Sequence, residues 1–401
     1  MTVMAAPSDV PVLDEDPYST DNLRDPRTFH HRLREAGPLV WLSRHGVYAT
    51  GRYAQVRAGL SQFEQLISSA GVGLEDLRTG ASWRPASLMI EADPPAHTPR
   101  RELLARILSP RALRSLREPF AAAADQLVDR VLAADSVDGV RDLAEAFPLE
   151  VFPAAVGLDE SVRPHLLVYG NLGFNTLGPD NEILRQAREG VGPTIEAIMA
   201  QTAREALRVP GLGALLWQAA DDGVIPADEA PMLVRSLLTA GVDTTVASLG
   251  AALHGLAADP QQWQLLRADP GRAKFVFEEA IRFDSPVQTF YRTSVQDTDL
   301  DGAHLPADQK VMLSLAGANR DPRQFSEPDR FDMARNVAGH VGFGWGIHQC
   351  VGQHLGRMEG EALLGALARK VATLELAGEP ERRLNNTLHA WGTLPLRITA
   401  A

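Results

Sequence analysis

The sequence predicts a mainly α-helical fold with a minor β portion. From Thr98 onward, most of the chain consists of long segments in which apolar residues recur at helical spacing. Two short apolar runs near the N-terminus are bounded by glycines, and the C-terminal tail returns to a strand-like composition. No internal repeat and no shift in composition divides the 401 residues, so we expect a single domain over residues 1–401.

The β portion is predicted at the two ends of the chain. Near the N-terminus, the runs GPLVWL and GVYATG are separated by SRH, a pattern typical of two strands joined by a turn. The tail RLNNTLHAWGTLPLRIT indicates further strands. We therefore expect a hairpin early in the chain and a second β segment at its end.

The helices are predicted in the segments PRRELLARIL, PRALRSLREPFAAAADQLVDRVLAA, EILRQAREGVGPTIEAIMAQTAREAL, APMLVRSLLTAGVDTTVASLGAALHGLAA, PGRAKFVFEEAIRF and QCVGQHLGRMEGEALLGALARKVATLEL. Prolines at positions 110, 210 and 260 separate them, because proline rarely continues a helix. We expect these segments to be helical.

Composition and charge exclude several classes of protein. A single cysteine cannot form an internal disulfide or a multi-cysteine zinc site, and it suits a reducing compartment. A formal net charge of -12 disfavours nucleic acid as a partner. The acidic N-terminus lacks the basic and apolar regions of a signal peptide, and no run of roughly 18 apolar residues occurs. We expect a cytoplasmic monomer that binds neither nucleic acid nor a membrane.

The one cysteine, Cys350, lies in the glycine-rich stretch GFGWGIHQCVGQ, directly before a predicted helix. Free N–H groups at a helix N-terminus favour an anion such as a thiolate, which can ligate a metal or act as a nucleophile. Glycines at positions 342, 344, 346 and 352 allow a flat bulky ligand to approach the sulfur. Two plainer interpretations stay open at this point: a buried thiol that only fills space, and a dinucleotide-binding loop.

The order Phe343, Gly344, Gly346, His348, Cys350 and Gly352 resembles the haem-binding signature of the cytochrome P-450 family. The resemblance implies the fold of that family, a triangular prism of helices around a buried haem. It also implies that haem b is the cofactor, with Cys350 as the thiolate ligand of its iron and with Phe343 and Gly344 beside it.

A second motif, EEAIRF, spaces Glu279 and Arg282 three residues apart on one helix face. An ordinary surface ion pair is the plain interpretation of this spacing. The resemblance instead implies the structural Glu-x-x-Arg pair of the family, closed by Arg330 of EPDRFD.

A third motif, LTAGVDTTVASL, contains Gly241, Asp243 and Thr244 inside an otherwise apolar helix, where Gly and Asp are unfavourable. A Thr hydroxyl that bonds the carbonyl four residues back is the plain interpretation. The resemblance implies a helix that crosses over the haem, where Gly241 leaves room for dioxygen, Thr244 hydrogen-bonds the bound oxygen and Asp243 helps to deliver protons.

Four further residues are expected to bind the haem propionates. The segment EADPPAHTPRREL contains His97 and Arg101, which match the His-Thr-x-x-Arg segment of the family. Arg292 and His348 resemble the remaining partners. Each alone would be a solvated surface group, but together they form an anion-binding set in a net acidic chain.

Three segments, WRPASLMIEADPP, LVRSLLTAG and SPVQTFYRT, resemble one bacterial subfamily of cytochromes P-450 that O-demethylates para-methoxybenzoate. By that resemblance the residues that grip the substrate carboxylate are Arg84, Ser87, Arg235 and Ser236. On a straight helix, Ser236 and Thr244 would be about 12 Å apart, the length of such a substrate.

The apolar pocket wall is implied by the same resemblance to consist of Phe174, Leu177, Ala240, Val287 and Phe290. Leu177 departs from the subfamily, which usually has a second phenylalanine there. This departure predicts room for a longer alkoxy group or an extra ring substituent.

The predicted function is therefore that of a haem-thiolate monooxygenase of para-substituted benzoic acids. The expected reaction converts para-methoxybenzoate to para-hydroxybenzoate and formaldehyde, with dioxygen and with electrons from NAD(P)H through a reductase and an iron-sulfur ferredoxin. Two alternatives remain: a cytochrome P-450 hydroxylase of another small molecule, such as a terpenoid or another aromatic, and a non-catalytic haem-thiolate sensor.

Overall fold

The computed structural model describes Pro7, residues 9–80, Ser82 and residues 84–401, so Trp83 of the predicted substrate segment and the first six residues lie outside the described part. The α-helices within it are Thr20–Arg24 (α1), Arg27–Ala36 (α2), Tyr53–Ser61 (α3), His97–Ile107 (α4), Arg117–Leu132 (α5), Ala146–Val156 (α6), Arg163–Asn175 (α7), Glu182–Arg188 (α8), Gly192–Ala200 (α9), Leu212–Asp221 (α10), Ala230–Ala240 (α11), Asp243–Ala258 (α12), Pro260–Ala268 (α13), Ala273–Asp284 (α14), Leu315–Asn319 (α15) and Gln353–Lys370 (α16).

The strands are Val12–Leu13 (β1), Val40–Leu42 (β2), Val47–Thr50 (β3), Leu66–Ile67 (β4), Val137–Asp138 (β5), Thr289–Ser294 (β6), Thr298–Asp299 (β7), His304–Leu305 (β8), Lys310–Ser314 (β9), Val371–Leu376 (β10), Glu381–Arg383 (β11), Ala390–Thr393 (β12) and Pro395–Ala400 (β13). The largest sheet has the order β1-β2-β3-β9-β6-β4, and a second has the order β10-β13-β5. The mainly α-helical prediction with a minor β portion is confirmed.

The predicted β segments are present at both ends of the chain. Strands β2 and β3 pair antiparallel with Val40 opposite Ala49, as expected of the hairpin. The tail supplies β12 and β13, and β13 pairs antiparallel with β10. The hairpin then joins β9 and β6, and β6 carries Phe290 and Arg292 toward the interior.

Three predicted helical segments differ from the structure. The helix predicted over 349–376 ends at Lys370, and Val371–Leu376 forms β10 instead. The segment 182–207 divides into α8 and α9, because Gly190 has a positive φ of 65° that no helix accommodates. The segment 230–258 divides into α11 and α12 around Gly241 and Val242. Helix α7, which carries Phe174, was not predicted from the sequence.

Helix α12 is the centre of the core, and it packs against α14, α16, β10 and β12. The span Ala230–Ala258 is long and apolar enough to cross a membrane, but 67% of an apolar 18-residue window within it is buried inside the protein. Its hydrophobicity is therefore that of a core helix, which is apolar on all sides because protein surrounds it.

The Glu279–Arg282 pair is a buried structural pair and not a surface one. Both side chains have at most 1% exposure, and Arg282 Nε donates to Glu279 Oε2 at 2.7 Å. The guanidinium also donates to the carbonyls of Asn319 and Pro328 at 2.9 Å, which satisfies it in a region that water does not reach. This pair fixes α14 to the irregular segment that leads to Cys350.

The prediction that Arg330 closes this pair is wrong. The Arg330 side chain is 56% exposed and lies 3.7 Å from Glu327, so only its carbonyl reaches Arg282. Arg335 takes the predicted place, since its Nε lies 3.4 Å from Glu279 Oε1 and its side chain is 9% exposed. The two arginines are five residues apart, and the turn between them decides which one faces inward.

We expect Arg282→Met to destabilise the protein by about 3–5 kcal/mol, because it leaves the Glu279 carboxylate buried without a partner. Arg330→Ala should change stability by less than about 0.5 kcal/mol, as exposed substitutions do. Thermal unfolding of the holoprotein followed by circular dichroism and by Soret absorbance measures both. Equal losses in the two variants would contradict the assignment.

Candidate active site

A cavity of about 500 Å³ lies between α4, α7, α11, α12 and the loop that precedes α16. Cys350 and Thr244 both line it, as do all nine residues predicted to contact the substrate. The four residues predicted to bind propionates line the same cavity. The structure thus brings together residues that are up to 266 positions apart in the chain, from Arg84 to Cys350.

Cys350 lies three residues before α16 begins, as the sequence predicted. Its backbone N–H donates to the Phe343 carbonyl at 2.7 Å, which closes the loop into a compact turn. Gly344 and Gly346 both have a φ of 70°, and a side chain at Gly346 would overlap the Leu60 carbonyl of α3. The glycines therefore serve the tight turn and its contact with α3.

Burial raises the pKa of the Cys350 thiol, and several groups act in the opposite direction. These groups are the backbone N–H groups of Gly352 and Gln353 and the guanidinium groups of Arg101 and Arg357. These groups therefore offset part of the rise in the thiol pKa that burial causes. Coordination to a metal holds such a thiol deprotonated.

A set of cations and imidazoles on one side of the cavity has no anionic partner among the described residues. Arg292 is 3% exposed, and its Nη1 donates to the Tyr291 carbonyl at 2.8 Å, but it makes no ion pair among the described residues. Burial lowers its pKa to about 10, so the group stays charged. The Nε2 atoms of His97 and His348 are buried without hydrogen bonds in the described part of the chain, and their rings are 4.5 Å apart. Arg101 donates to the Gln349 carbonyl at 2.5 Å. Such a set calls for an anionic ligand, because buried unpaired cations are costly.

Helices α11 and α12 meet at a break directly over this cavity. A side chain at Gly241 would overlap the Phe152 ring, and Gly241 and Val242 lie between the end of α11 and the start of α12. The Thr244 hydroxyl donates to the Ala240 carbonyl at 3.1 Å across the break. The plain interpretation of Thr244, a bond to the carbonyl four residues back, is thus observed, and its oxygen still lines the cavity.

Asp243 turns away from the cavity toward α7 and β11. It is 1% exposed, and its Oδ1 accepts from Arg383 at 3.1 Å while its Oδ2 has no partner among the described residues. Burial raises the pKa of Asp243 to about 7, against the lowering effect of Arg383. Glu145, whose pKa burial also raises, lies 3.7 Å from Arg383 on the other side.

Comparison with known proteins identifies the family to which this arrangement belongs. The model of the cytochrome P-450 family matches residues 273–396, which include Glu279, Arg282 and Cys350. Cytochrome P-450 CYP199A2 from Rhodopseudomonas palustris is 49% identical over 393 residues, covering 98% of this chain and 95% of the relative. The chain belongs to the cytochrome P-450 family. It is a monooxygenase of that family, whose members bind haem through a cysteine thiolate and receive electrons from redox partners.

Other relatives agree over the full length of this cytochrome P-450. The 6-deoxyerythronolide B hydroxylase from Saccharopolyspora erythraea is 30% identical to this chain. The alignment covers 97% of this chain and 99% of the hydroxylase. The structure of cytochrome P-450 CYP109Q5 from Chondromyces apiculatus superposes with a TM-score of 0.80, at 27% identity and over 97% of this chain and 99% of that one. These comparisons confirm the predicted fold.

The residues of this cytochrome P-450 fit haem. The cavity offers one thiol for the iron and, beside it, a buried Arg292 and two orphaned imidazole nitrogens for the propionates. Burial lowers the pKa of His348 to about 3 and that of His97 as well, so each neutral ring donates one N–H. Cys350, His97, Arg101, Arg292 and His348 would hold the cofactor.

The predicted carboxylate-binding residues are not equivalent. Arg84 is held by Glu91, because its two terminal nitrogens donate to the Glu91 carboxylate at 2.6 and 2.7 Å. Arg235 makes no ion pair or side-chain hydrogen bond among the described residues. Ser236 donates its hydroxyl to the Met232 carbonyl at 2.9 Å, and Ser87 accepts from Met89. The sequence could not indicate that Glu91 compensates Arg84.

The helix break also changes the estimate of substrate length. Ser236 lies in α11 and Thr244 in α12, so the straight-helix rise of about 12 Å does not apply between them. The wall residues Phe174, Leu177 and Phe290 line the cavity as predicted.

Glu359 is a cavity residue for which the sequence analysis made no prediction. It lies in the middle of α16 with 0% exposure, and neither carboxylate oxygen has a partner among the described residues. Burial raises the pKa of Glu359 well above its usual range, which favours the protonated acid. The apolar spacing in this segment predicts only a helix, and it does not indicate that Glu359 is buried.

We expect Cys350→Ala to abolish the ferrous-carbon monoxide absorption band that is specific to thiolate ligation, because no other described residue can supply a thiolate. Haem content should fall as well, and pyridine-haemochrome absorbance measures it. Cys350→Ser is the matched control for size: it keeps the turn but not the sulfur. A thiolate-type band in either variant would contradict the assignment.

Proposed function

We propose that this cytochrome P-450 oxidises para-substituted benzoic acids, with O-demethylation of para-methoxybenzoate to para-hydroxybenzoate and formaldehyde as its reaction. The observation that carries the proposal is Arg235, a cation without a partner among the described residues on the wall of an apolar cavity. A monoanionic aromatic acid supplies the one charge that this residue lacks. Haem, when bound, supplies the activation of dioxygen.

The balance of charge in the cavity supports a single carboxylate. Arg84 and Glu91, which both line the cavity, cancel each other in an ion pair at 2.6 Å. Arg235 then remains as the uncompensated charge outside the propionate set. Ser87 lines the same cavity, and its hydroxyl accepts from backbone N–H groups, so its own proton remains for a carboxylate. Charge-assisted hydrogen bonds are among the strongest that a site can offer.

The apolar part of the cavity supports a flat ring. Phe174 and Phe290 line it from α7 and β6, and Val287 and Ala240 complete the wall. Aromatic side chains stack well against an aromatic ring, and apolar contact excludes water from the reacting carbon. Leu177 is smaller than phenylalanine, which supports tolerance of a larger substituent.

The proposed roles of Asp243 and Thr244 concern proton supply. Thr244 holds its hydroxyl oxygen at the cavity surface, and Asp243 is the adjacent acid with a pKa of about 7. An acid with a pKa near the working pH exchanges protons readily. Asp243 would carry protons from the side of Arg383 and Glu145 toward the hydroxyl of Thr244.

Electrons are proposed to come from NAD(P)H through a reductase and an iron-sulfur ferredoxin in the cytoplasm. The 401 residues contain one cysteine, and this cysteine is assigned to haem. Cysteine-ligated iron-sulfur clusters need about four such residues, so this chain cannot hold one itself.

We expect para-methoxybenzoate to shift the Soret band of the holoprotein, and Arg235→Leu to weaken its binding about 10- to 100-fold through the loss of one charged hydrogen bond. Para-methoxybenzamide, which lacks the charge, should bind both proteins equally. Arg397→Leu is the control, since that arginine is 65% exposed and lies in β13 outside the cavity. Equal affinity for the acid and the amide in the unsubstituted protein would contradict an aromatic acid as substrate.

We expect kcat to fall as pH rises through about 7, because Asp243 must be protonated to donate. Asp243→Asn should remove this dependence and lower kcat about 100-fold or more. Arg383→Gln should move the midpoint to higher pH, since Arg383 lowers the pKa of Asp243. Arg141→Gln, at an exposed ion pair with Asp142, should leave the midpoint unchanged. A midpoint that Arg383→Gln does not move would argue against Asp243 as the titrating group.

A further inference from the structure

Five asparagines join α7 and the start of α8 to the loop between β11 and β12. We name them the asparagine clasp; its members are Asn171, Asn175, Asn181, Asn385 and Asn386. Asn175, Asn385 and Asn386 are at most 3% exposed. A group of buried amides is unusual, because each amide carries donors and acceptors that must all be satisfied.

The centre of the clasp is a reciprocal amide pair. Asn181 Nδ2 donates to Asn386 Oδ1 at 2.8 Å, and Asn386 Nδ2 donates back to Asn181 Oδ1 at 3.1 Å. Asn386 Nδ2 also approaches the carbonyls of Asn175 at 3.2 Å and Pro179 at 3.4 Å. The side-chain nitrogen of Asn386 thus faces three oxygen atoms, and only an NH₂ group can donate to them.

Two more members extend the contact along α7. Asn175 Oδ1 accepts from the backbone N–H of Asn386 at 2.8 Å, and Asn385 Nδ2 donates to Asn171 Oδ1 at 3.0 Å. Asn385 Oδ1 in turn accepts from the backbone N–H groups of Thr387 and Leu388 at 2.9 Å, which shapes the loop. The last turn of α7 is therefore bound to this loop at both of its ends, through Asn171 and Asn175.

The clasp encloses the backbone of Leu177. A side chain at Gly178 would overlap the Asn386 side chain, and a side chain at Gly73 would overlap the Leu177 carbonyl. That carbonyl also accepts from the backbone N–H of Leu74 at 2.8 Å. Leu177 is thus fixed between the clasp and the loop of residues 70–75.

Both neighbours of the clasp are themselves anchored. Lys310 Nζ donates to carbonyls in the loop of residues 70–75, including Gly73 at 3.0 Å and Glu75 at 2.8 Å. On the other side, the Gln288 backbone N–H donates to the Thr387 carbonyl at 2.9 Å, beside the bridge between Val287 and Leu388. The cavity residues Leu177 and Val287 are therefore connected through the clasp.

We propose that Asn175, Asn181 and Asn386 are positioning residues that hold Leu177 and Phe174 at a fixed place in the cavity wall, and so limit the size of the substrate. This inference rests on the proposed function for the choice of substrate. Amides suit the task because they bind strongly in a buried site without adding a charge to it. The limit is set by groups that do not touch the substrate.

The test uses the holoprotein and two acids, para-methoxybenzoate and the larger para-benzyloxybenzoate, whose dissociation constants come from Soret titration. Asn386→Asp keeps the size of the side chain and the oxygen that accepts from Asn181. It replaces the NH₂ group by a carboxylate oxygen, which then faces Asn181 Oδ1 and the carbonyls of Asn175 and Pro179. We expect the ratio of the larger acid's dissociation constant to the smaller acid's to fall at least about tenfold, the discrimination of one apolar group. Leu177→Ala, which opens the wall directly, should change the ratio in the same direction.

Asn336→Asp is the matched control, because that exposed asparagine uses only its acceptor, toward the Ala338 N–H. Asn181→Ser is the milder second variant, since serine still caps α8 but cannot pair with Asn386. A lower thermal midpoint in the clasp variants with a ratio that moves less than about tenfold overturns the proposal, because a merely structural clasp would do this.

Hydrogen exchange gives a second measurement that needs no substrate. In Asn386→Asp we expect faster exchange of backbone amides in residues 71–77 as well as in residues 385–388. Leu74 and Asn386 both contact the turn at Leu177 and Gly178, so loosening one side loosens the other. Faster exchange confined to residues 385–388 overturns it. If the unsubstituted protein binds neither acid, the proposed substrate is wrong, and the exchange result alone then decides on the clasp.

Discussion

The fixed position of one sulfur atom, Cys350 Sγ, is the constraint on which the rest of the structure depends. A thiolate ligand must stand still relative to a rigid cofactor, and the loop that carries it has little regular structure of its own. The loop is therefore held from outside: by the contact of Gly346 with α3, and by the buried Glu279–Arg282 pair that anchors the preceding segment. Helix α16 then directs its N–H groups toward the sulfur.

Charge is distributed around the cavity by two opposite rules. Where a ligand charge is expected, cations have no anionic partner among the described residues, as is the case for the buried Arg292 and the half-buried Arg235. Where only shape matters, charges are cancelled or avoided, as in the Arg84–Glu91 pair and in the amides around Leu177. A buried charge without a partner costs more than any other group of its size, so its presence indicates a ligand.

The sequence was sufficient for whatever depends on local order along the chain. The glycine pattern around Cys350 predicts the turn, and apolar spacing predicts the helices. It failed where distant segments decide. The ring of Phe152 occupies the space that a side chain at Gly241 would need, the turn after Arg330 brings Arg335 inward, and Glu91 neutralises Arg84. Glu359 was missed because burial depends on α12 and α14, whose packing no single segment encodes.

The contact between α7 and α12 has an evolutionary consequence. Any side chain at position 170 would overlap Oδ2 of Asp243, so only glycine leaves that carboxylate in place. We therefore expect a lineage that retains this acid to retain glycine at position 170 as well. A lineage that first replaces Asp243 is free to fill the space, and it then cannot regain the aspartate until glycine has returned.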